Sequence, residues 1–349
     1  MRFHHTSLRR NILLAAALAL GVWALFGLAD LPHRPDAGLR YDASGVIGRL
    51  EAGGGADRAG LRVGDRILSI DGVSLSETET LQRRPRAAIG ETRTFVVERT
   101  DEASGATMRE QFDVTYGSEL AAQPIGLIGG ALLGFVFLVC GVLAYLRAHS
   151  IQSLLFAGVG VALAAVLLPT PYFAAPGLRL FASAVTVLAA FVVFPCLLHL
   201  ALTFPEPRSI LRRRGVVAAL YLLPLLIGGA AAIQIARAAQ PGPVLDLVST
   251  LVLVVYMLVT IVALIHRYAT TTRERRAAFG LGLVAWGVVI GFGPLTVEVI
   301  VALLMPGVSL PGSDFYFLSL VTIPLSFTVA LVRRPARAGT IVAPATAGV

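Results

Sequence analysis

The sequence has no lysine, and all 29 of its basic residues are arginine. Charge of either sign is scarce, at 14% of 349 residues against roughly 25% in soluble domains, which excludes an ordinary water-soluble protein. The two cysteines, Cys140 and Cys196, both sit in apolar runs, so no disulfide can staple the polar part of the chain. No His-Glu-x-x-His occurs, which removes the ligand pair and general base of a zinc protease. His4, His5, His33, His149, His199 and His266 are scattered, and no Gly-rich nucleotide loop is present. The expectation is a chain that is not an enzyme, with no catalytic residues, no metal and no cofactor.

What is abundant is apolar sequence in long blocks: 11–29, 124–146, 151–169, 179–204, 216–236, 244–265, 279–304 and 315–332. Each is near the ~20 residues that carry a helix across a ~30 Å hydrocarbon core. None alternates with the period of two that a membrane barrel needs. The expected fold class is a polytopic α-helical membrane protein of about eight transmembrane helices, with one small α+β domain at 36–118 after the first of them. Around these lie a short N-terminus (1–10), a seven-helix membrane domain (124–332) and a short tail (333–349).

Arginine placement sets the expected orientation. The ends sharing a side with the N-terminus carry fifteen arginines, including Arg9, Arg10, Arg147, Arg212, Arg213, Arg214, Arg275 and Arg276, while the opposite short loops carry two, Arg179 and Arg237. Basic residues stay on the cytoplasmic side, so both termini are expected inside and residues 30–120 outside. That outer segment holds 16 acids and 12 arginines, so the formal net charge of +8 belongs to the inner face. The arginine clusters read as topology determinants in contact with anionic lipid of the bilayer, with no nucleic-acid partner. The all-arginine, Ala- and Gly-rich composition resembles that of GC-rich bacterial genomes, and the expected location is a bacterial inner membrane. Two readings of residues 11–29 stand open. One is a cleaved signal peptide with Gly27 and Ala29 at the small-residue positions, the other a retained anchor; the length of the run favours the anchor.

Within 36–118, Val46–Leu50 is a strand candidate, followed by the Gly-rich "EAGGGADRAGL" and one helical turn. Gly60 and Gly64 bracket a tight turn suited to positive φ. "RILSI" makes a strand that ends in the turn signal Asp71-Gly72. Ser76 and Glu79 fit a capping box opening a helix over about 76–84, which Pro85 then stops. Thr94–Arg99 and Met108–Thr115 read as an antiparallel pair around "DEASGAT".

The run "GVIGRLEAGGGADRAGLRVGDRILSIDGVSL" resembles bacterial PDZ domains in its Ala-Gly-Leu, Gly-Asp and Ile-Asp-Gly elements. That resemblance implies capture of a peptide or protein C-terminus by strand addition. It implies Ser44, Gly45 and Val46 as the carboxylate-holding turn, Val46, Ile47, Gly48 and Arg49 as the groove strand, and Leu81 on the opposite wall. A structural or dimerising PDZ-like fold is the other reading, since Pro85 shortens the helical wall.

The whole chain also resembles the input region of competence-type quorum-sensing sensor histidine kinases, including "HLALTFPEPRSILRR" and "HRYATTTRERRAAFGLGL" as inner loops. It has no phosphoacceptor box or ATP-binding domain, so this resemblance implies a sensory or signal-relay protein acting through a cytoplasmic kinase or other signalling partner. The alternative is a transporter or small-molecule-binding membrane protein with the PDZ-like domain as scaffold. Glu298, two turns inside a span, is an intramembrane acid whose candidate partners are Arg179, Arg237 and interfacial water. His199 shares a helix face with Cys196, which reads as packing. Gly130-x-x-x-Gly134 and Gly287-x-x-x-Gly291 permit close helix approach, within the bundle or in a homodimer. Pro195, Pro224, Pro294 and Pro324 are expected kinks.

Overall fold

The computed structural model describes residues 2–42, 44–100, 106–239, 242–304 and 310–333. All but the first residue of the tail expected over 333–349, and most of the "DEASGAT" turn, lie outside the described residues. The first helix, α1 (Arg2–Asp30), includes the predicted span and continues back into the segment expected as the short N-terminus, 1–10. It buries Leu13 and Ala24 against the later helices.

The polar segment then folds as β1 (Pro35–Asp36), β2 (Leu39–Tyr41), β3 (Ile47–Leu50), α2 (Gly55–Ala59), β4 (Arg66–Ile70), β5 (Val73–Ser74), α3 (Thr78–Arg83), β6 (Thr92–Thr100), β7 (Thr107–Thr115) and β8 (Gly117–Ser118). A four-stranded sheet runs β5-β4-β6-β7, and β2-β3 and β1-β8 form two-stranded pairs. Alternation drives the long hairpin: Phe95, Val97 and Val114 point inward and are buried, with Ile47, Ala56, Leu61 and Ile67 completing the core. At the β4–β5 turn, Asp71 (φ 48°) and Gly72 (φ 75°) are both left-handed, as a two-residue hairpin requires. The Asp71 carboxylate also accepts the Thr94 N–H at 2.8 Å, which ties the turn to β6.

The predicted capping box does not form. α3 starts at Thr78 with no side-chain cap, Ser76 sits 2.8 Å from the Ser74 hydroxyl, and Glu79 pairs with Arg83 at 3.0 Å. Pro85 holds Arg84 in extended backbone (ψ 150°) and ends the helix after six residues.

After α4 (Glu119–Ala122) come α5 (Pro124–Ala148), α6 (Ile151–Leu167), α7 (Pro176–Thr203), α8 (Arg214–Ala236), α9 (Pro243–Thr270), α10 (Arg273–Ala278), α11 (Leu281–Leu304) and α12 (Thr322–Val332), the last preceded by a 3-10 segment, Ser313–Val321. Among the described residues, seven helical segments are long and apolar enough to cross a membrane; α6, with 17 residues, is a shorter apolar helix. Its Gln152 donates to the Thr203 carbonyl at the end of α7, and the loop after it meets the PDZ-like side at Arg34, so α6 still runs the length of the bundle. The predicted 315–332 helix is α-helical in its second half alone. Pro324 has no N–H to give the Leu320 carbonyl, and the Ser319 and Thr322 hydroxyls donate to carbonyls three residues back, which favours the tighter turn. Pro195, Pro224 and Pro294 lie inside continuous helices.

Small residues set the helix contacts. A Cβ on Gly160 would lie 2.5 Å from the Phe137 carbonyl, and one on Gly141 would lie 3.0 Å from Ala157 Cα, so α5 and α6 touch backbone to backbone. Gly134 packs on Leu168, while Gly287 and Gly291 pack on Ser326 and Ile323 of α12. Both predicted glycine motifs thus have a partner inside the bundle.

Candidate functional site: a basic cleft at the seam of the two parts

The loop expected to hold a peptide carboxylate holds one from its own chain. The Asp42 carboxylate accepts from Ser44 N–H (2.8 Å), Ser44 Oγ (2.6 Å) and Val46 N–H (3.0 Å), and Gly45 N–H donates to the Asp42 carbonyl. These bonds hold the Asp42 carboxyl below its ordinary range, the Ser44 hydroxyl contributing most. Gly45 does require positive φ (86°), and a Cβ there would sit 2.8 Å from the Ile67 carbonyl. Its role in the structure is a tight turn under β4.

β3 is an interior strand. On one side it pairs with β2 through Arg40↔Arg49 and Leu39↔Leu50. On the other, Ile47 N–H donates to Asp65 and its carbonyl accepts from Gly64. Val46, Ile47, Gly48 and Arg49 therefore belong to a paired ladder, and of the predicted groove residues only Leu81 lines the cleft described next.

Among the described residues, the unpaired edge belongs to β2. The Gly38 carbonyl accepts from Glu51 N–H, and Asp42 N–H donates to Val46, both toward β3. Within a planar peptide N–H and C=O point opposite ways, so Leu39 N–H and Tyr41 C=O face outward. This edge, α3 and the ends of α7 and α8 enclose a cleft of about 770 Å³. Tyr41 lines the edge side, Thr78, Leu81 and Gln82 the α3 side, and Leu180, Ser183 and Ile235 the bundle side. Six arginines (34, 40, 84, 86, 93 and 179) line it against two acids, Asp36 and Glu119. Arg93 stacks over Tyr116 at 5.8 Å, and burial pushes the Tyr116 phenol up to about 12.

Bonds cross the seam directly. Arg34 donates to the Thr170 carbonyl, and Tyr172 N–H donates to the Asp30 carboxylate at 2.7 Å. Arg179, in the first turn of α7, donates to the Gln82 and Arg84 carbonyls where α3 ends. Those α3 carbonyls are free because Pro85 stops the helix, which gives the short wall a positive structural consequence. This docking was not legible in the sequence, where Arg179 figured as a candidate partner of Glu298.

Glu298 is half-buried on α11, with no ion pair or hydrogen bond among the described residues. His199 is placed beside Tyr221 of α8, Nδ1 to Oη 3.0 Å, and the same Tyr221 hydroxyl donates to Cys196 Sγ at 3.7 Å. That arrangement packs α7 against α8, and no group of three metal-ligating side chains occurs among the described residues. At the end of the bundle opposite the cleft, the two inner-loop motifs meet. Arg208 lies 3.0 Å from His266, Arg267 donates to the Glu206 carbonyl at 2.6 Å, and Arg275 pairs with Glu206 at 3.7 Å.

Comparison with known proteins identifies one region. Neither a curated protein nor a solved structure matches the chain, and the wider likeness to sensor kinase input regions has no counterpart there. Residues 46–99 match the PDZ domain family, so the chain carries a PDZ domain, from β3 to the end of β6, beside a set of apolar helices that could span a membrane.

Proposed function

We propose that the protein is a membrane receptor whose PDZ domain takes an acidic peptide or protein C-terminus in the cleft between β2 and α3 and relays its presence through the helix bundle. The observation that carries this reading is the cleft itself, whose far wall is α7 and α8 rather than solvent. An occupant adding a strand to Tyr41 touches both parts of the molecule at once. Six arginines against two acids favour a ligand rich in carboxylates. The relay ends at the joined loops around Glu206 and His266, where a cytoplasmic kinase or other partner would read it.

In this reading all eight apolar helices cross a bacterial inner membrane, α6 included, with the PDZ domain outside and both termini inside. Fifteen arginines against two support that orientation. The chain has no catalytic role of its own, so the purified protein incorporates no phosphate from ATP. A periplasm-active reporter at 118 and a cytoplasm-active reporter at 214 should both be active; reversed activities sink the orientation.

The binding test titrates full-length protein in neutral detergent with fluorescent peptides ending in acidic residues, beside the same peptides amidated. Free-carboxylate peptides should bind, and Leu39→Pro should abolish binding by removing the outward edge donor. Failure of every peptide, or equal binding by the proline variant, overturns the reading.

A further inference from the structure

A second cavity, of about 420 Å³, lies beside the cleft, beneath the PDZ domain and at the ends of α5, α6 and α7. Arg34, Arg86, Arg179 and Ser183 line it. Much of the remaining lining is apolar, with residues such as Leu127 and Val187. We propose that this cavity binds a phosphate-bearing anion, the headgroup of an anionic phospholipid or free phosphate, held between the three guanidinium groups.

Three observations converge. First, the arginines are under-neutralised. Arg34 has Glu119 at 3.8 Å, but Asp30, the other nearby acid, accepts the Tyr172 N–H. Arg86 has the face of Tyr172 at 5.0 Å and no ion pair among the described residues. Arg179 bonds to neutral carbonyls. Second, each of two arginines keeps a buried N–H donor without a partner among the described residues, Nε of Arg34 and Nη1 of Arg179. A buried donor left unmade is costly, and an anion in the cavity is the acceptor that removes the cost. Third, α5 and α7 both begin here, at Pro124 and Pro176, and present their positive ends. Burial already presses the Arg34 guanidinium below its ordinary value, and the neighbouring charge of Arg86 adds to that pressure. Mutual repulsion of this kind is relieved by a bound anion.

A tetrahedral phosphate offers acceptors in several directions at once, which suits guanidinium groups arriving from a loop, the PDZ domain and a helix. The apolar part of the lining, beside the ends of apolar helices, suits the glycerol and upper acyl chain of a lipid. This proposal does not depend on the adjoining cleft receiving a peptide.

The test uses the full chain in phosphatidylcholine nanodiscs, with thermal unfolding as the readout. Including phosphatidylglycerol should raise the midpoint by about 3 °C or more. Arginine clusters at the far end also attract anionic lipid, so the decisive quantity is the difference between variants. Arg86→Gln, at an exposed position, and Arg179→Gln should each lose most of the rise, while Arg58→Gln, exposed elsewhere on the domain, keeps it. A rise produced equally by inorganic phosphate in pure phosphatidylcholine assigns the site to free phosphate; a rise confined to phosphatidylglycerol assigns it to lipid. No rise with either anion, or a rise undiminished in both the Arg86 and Arg179 variants, overturns the proposal.

Discussion

Arg99 clasps both oxygens of the buried Asp65 carboxylate, Nη2 to Oδ2 at 2.6 Å and Nε to Oδ1 at 2.7 Å. The same guanidinium donates to the Gly60 carbonyl (3.0 Å) and to Glu110 (2.9 Å), while Arg62 N–H donates to Asp65. One ion pair therefore fastens the Gly60–Gly64 turn to the β6–β7 hairpin. Removing one partner strands a charge in the domain's interior, and Arg99→Ala or Asp65→Ala should cost about 3–5 kcal/mol. Denaturant unfolding of the domain within the full chain measures this. A loss below about 1 kcal/mol would show the pair to be ornamental.

Gly45→Val should damage the fold before it damages any recognition. The residue has φ 86°, and its new side chain would meet the Ile67 carbonyl and Leu75. Left-handed backbone alone costs a branched residue about 1–2 kcal/mol, to which the clash adds. Arg62→Ala, on an exposed side chain, should stay within about 0.5 kcal/mol. Thermal midpoints of the two variants should therefore separate clearly; coincident midpoints would refute the turn assignment.

Acid should loosen the Asp42 turn. Because the folded carboxyl titrates below its unfolded value, its contribution is complete above about pH 4 and fades as pH falls through the lowered folded value. Exchange protection of the Ser44 and Val46 amides, corrected for intrinsic rates, should drop over that range. Asp42→Asn should flatten the acid dependence, and an unchanged pH profile in that variant would contradict the role given to the carboxylate.

Gly287→Val should part α11 from α12, since its side chain would run into Ser326 and lie close to the Thr322 carbonyl. The expected loss is about 1–3 kcal/mol. Gly282→Ala, with open space around it, should be neutral or gain about 0.5–1 kcal/mol through helix propensity. Detergent-resistance half-lives of the two variants compare them directly.

The apolar blocks could be read from sequence because a membrane helix advertises itself in every residue, and the β6–β7 hairpin because Phe95, Val97 and Val114 alternate. Asp71-Gly72 and the positive φ of Gly60 and Gly64 followed from local chemistry. Val46–Arg49, expected as the groove strand, is instead hydrogen-bonded to β2 and, at Ile47, to Gly64 and Asp65. Nothing in Val46–Arg49 tells that both sides of Ile47 are taken, because its partners there, Asp65 and Gly64, lie outside the strand. The capping box failed for a similar reason: Ser76 had a nearer hydroxyl in Ser74. Arg179 on Gln82 joins residues 97 positions apart, a contact set by how two folded parts dock.

The pairing of β1 with β8 sets Pro35 opposite Ser118 and Asp36 opposite Gly117. Entry to and exit from the PDZ domain thus form one doubled strap, continuous with α1 on one side and, through α4, with α5 on the other. A single-stranded tether would let the domain swivel without consequence, but a doubled one converts rotation into torsion on both helices together. Arg179 adds a third, off-axis attachment at α7. Any tilt of the domain then pulls on α7 with leverage about the strap, much as a door acts on its latch.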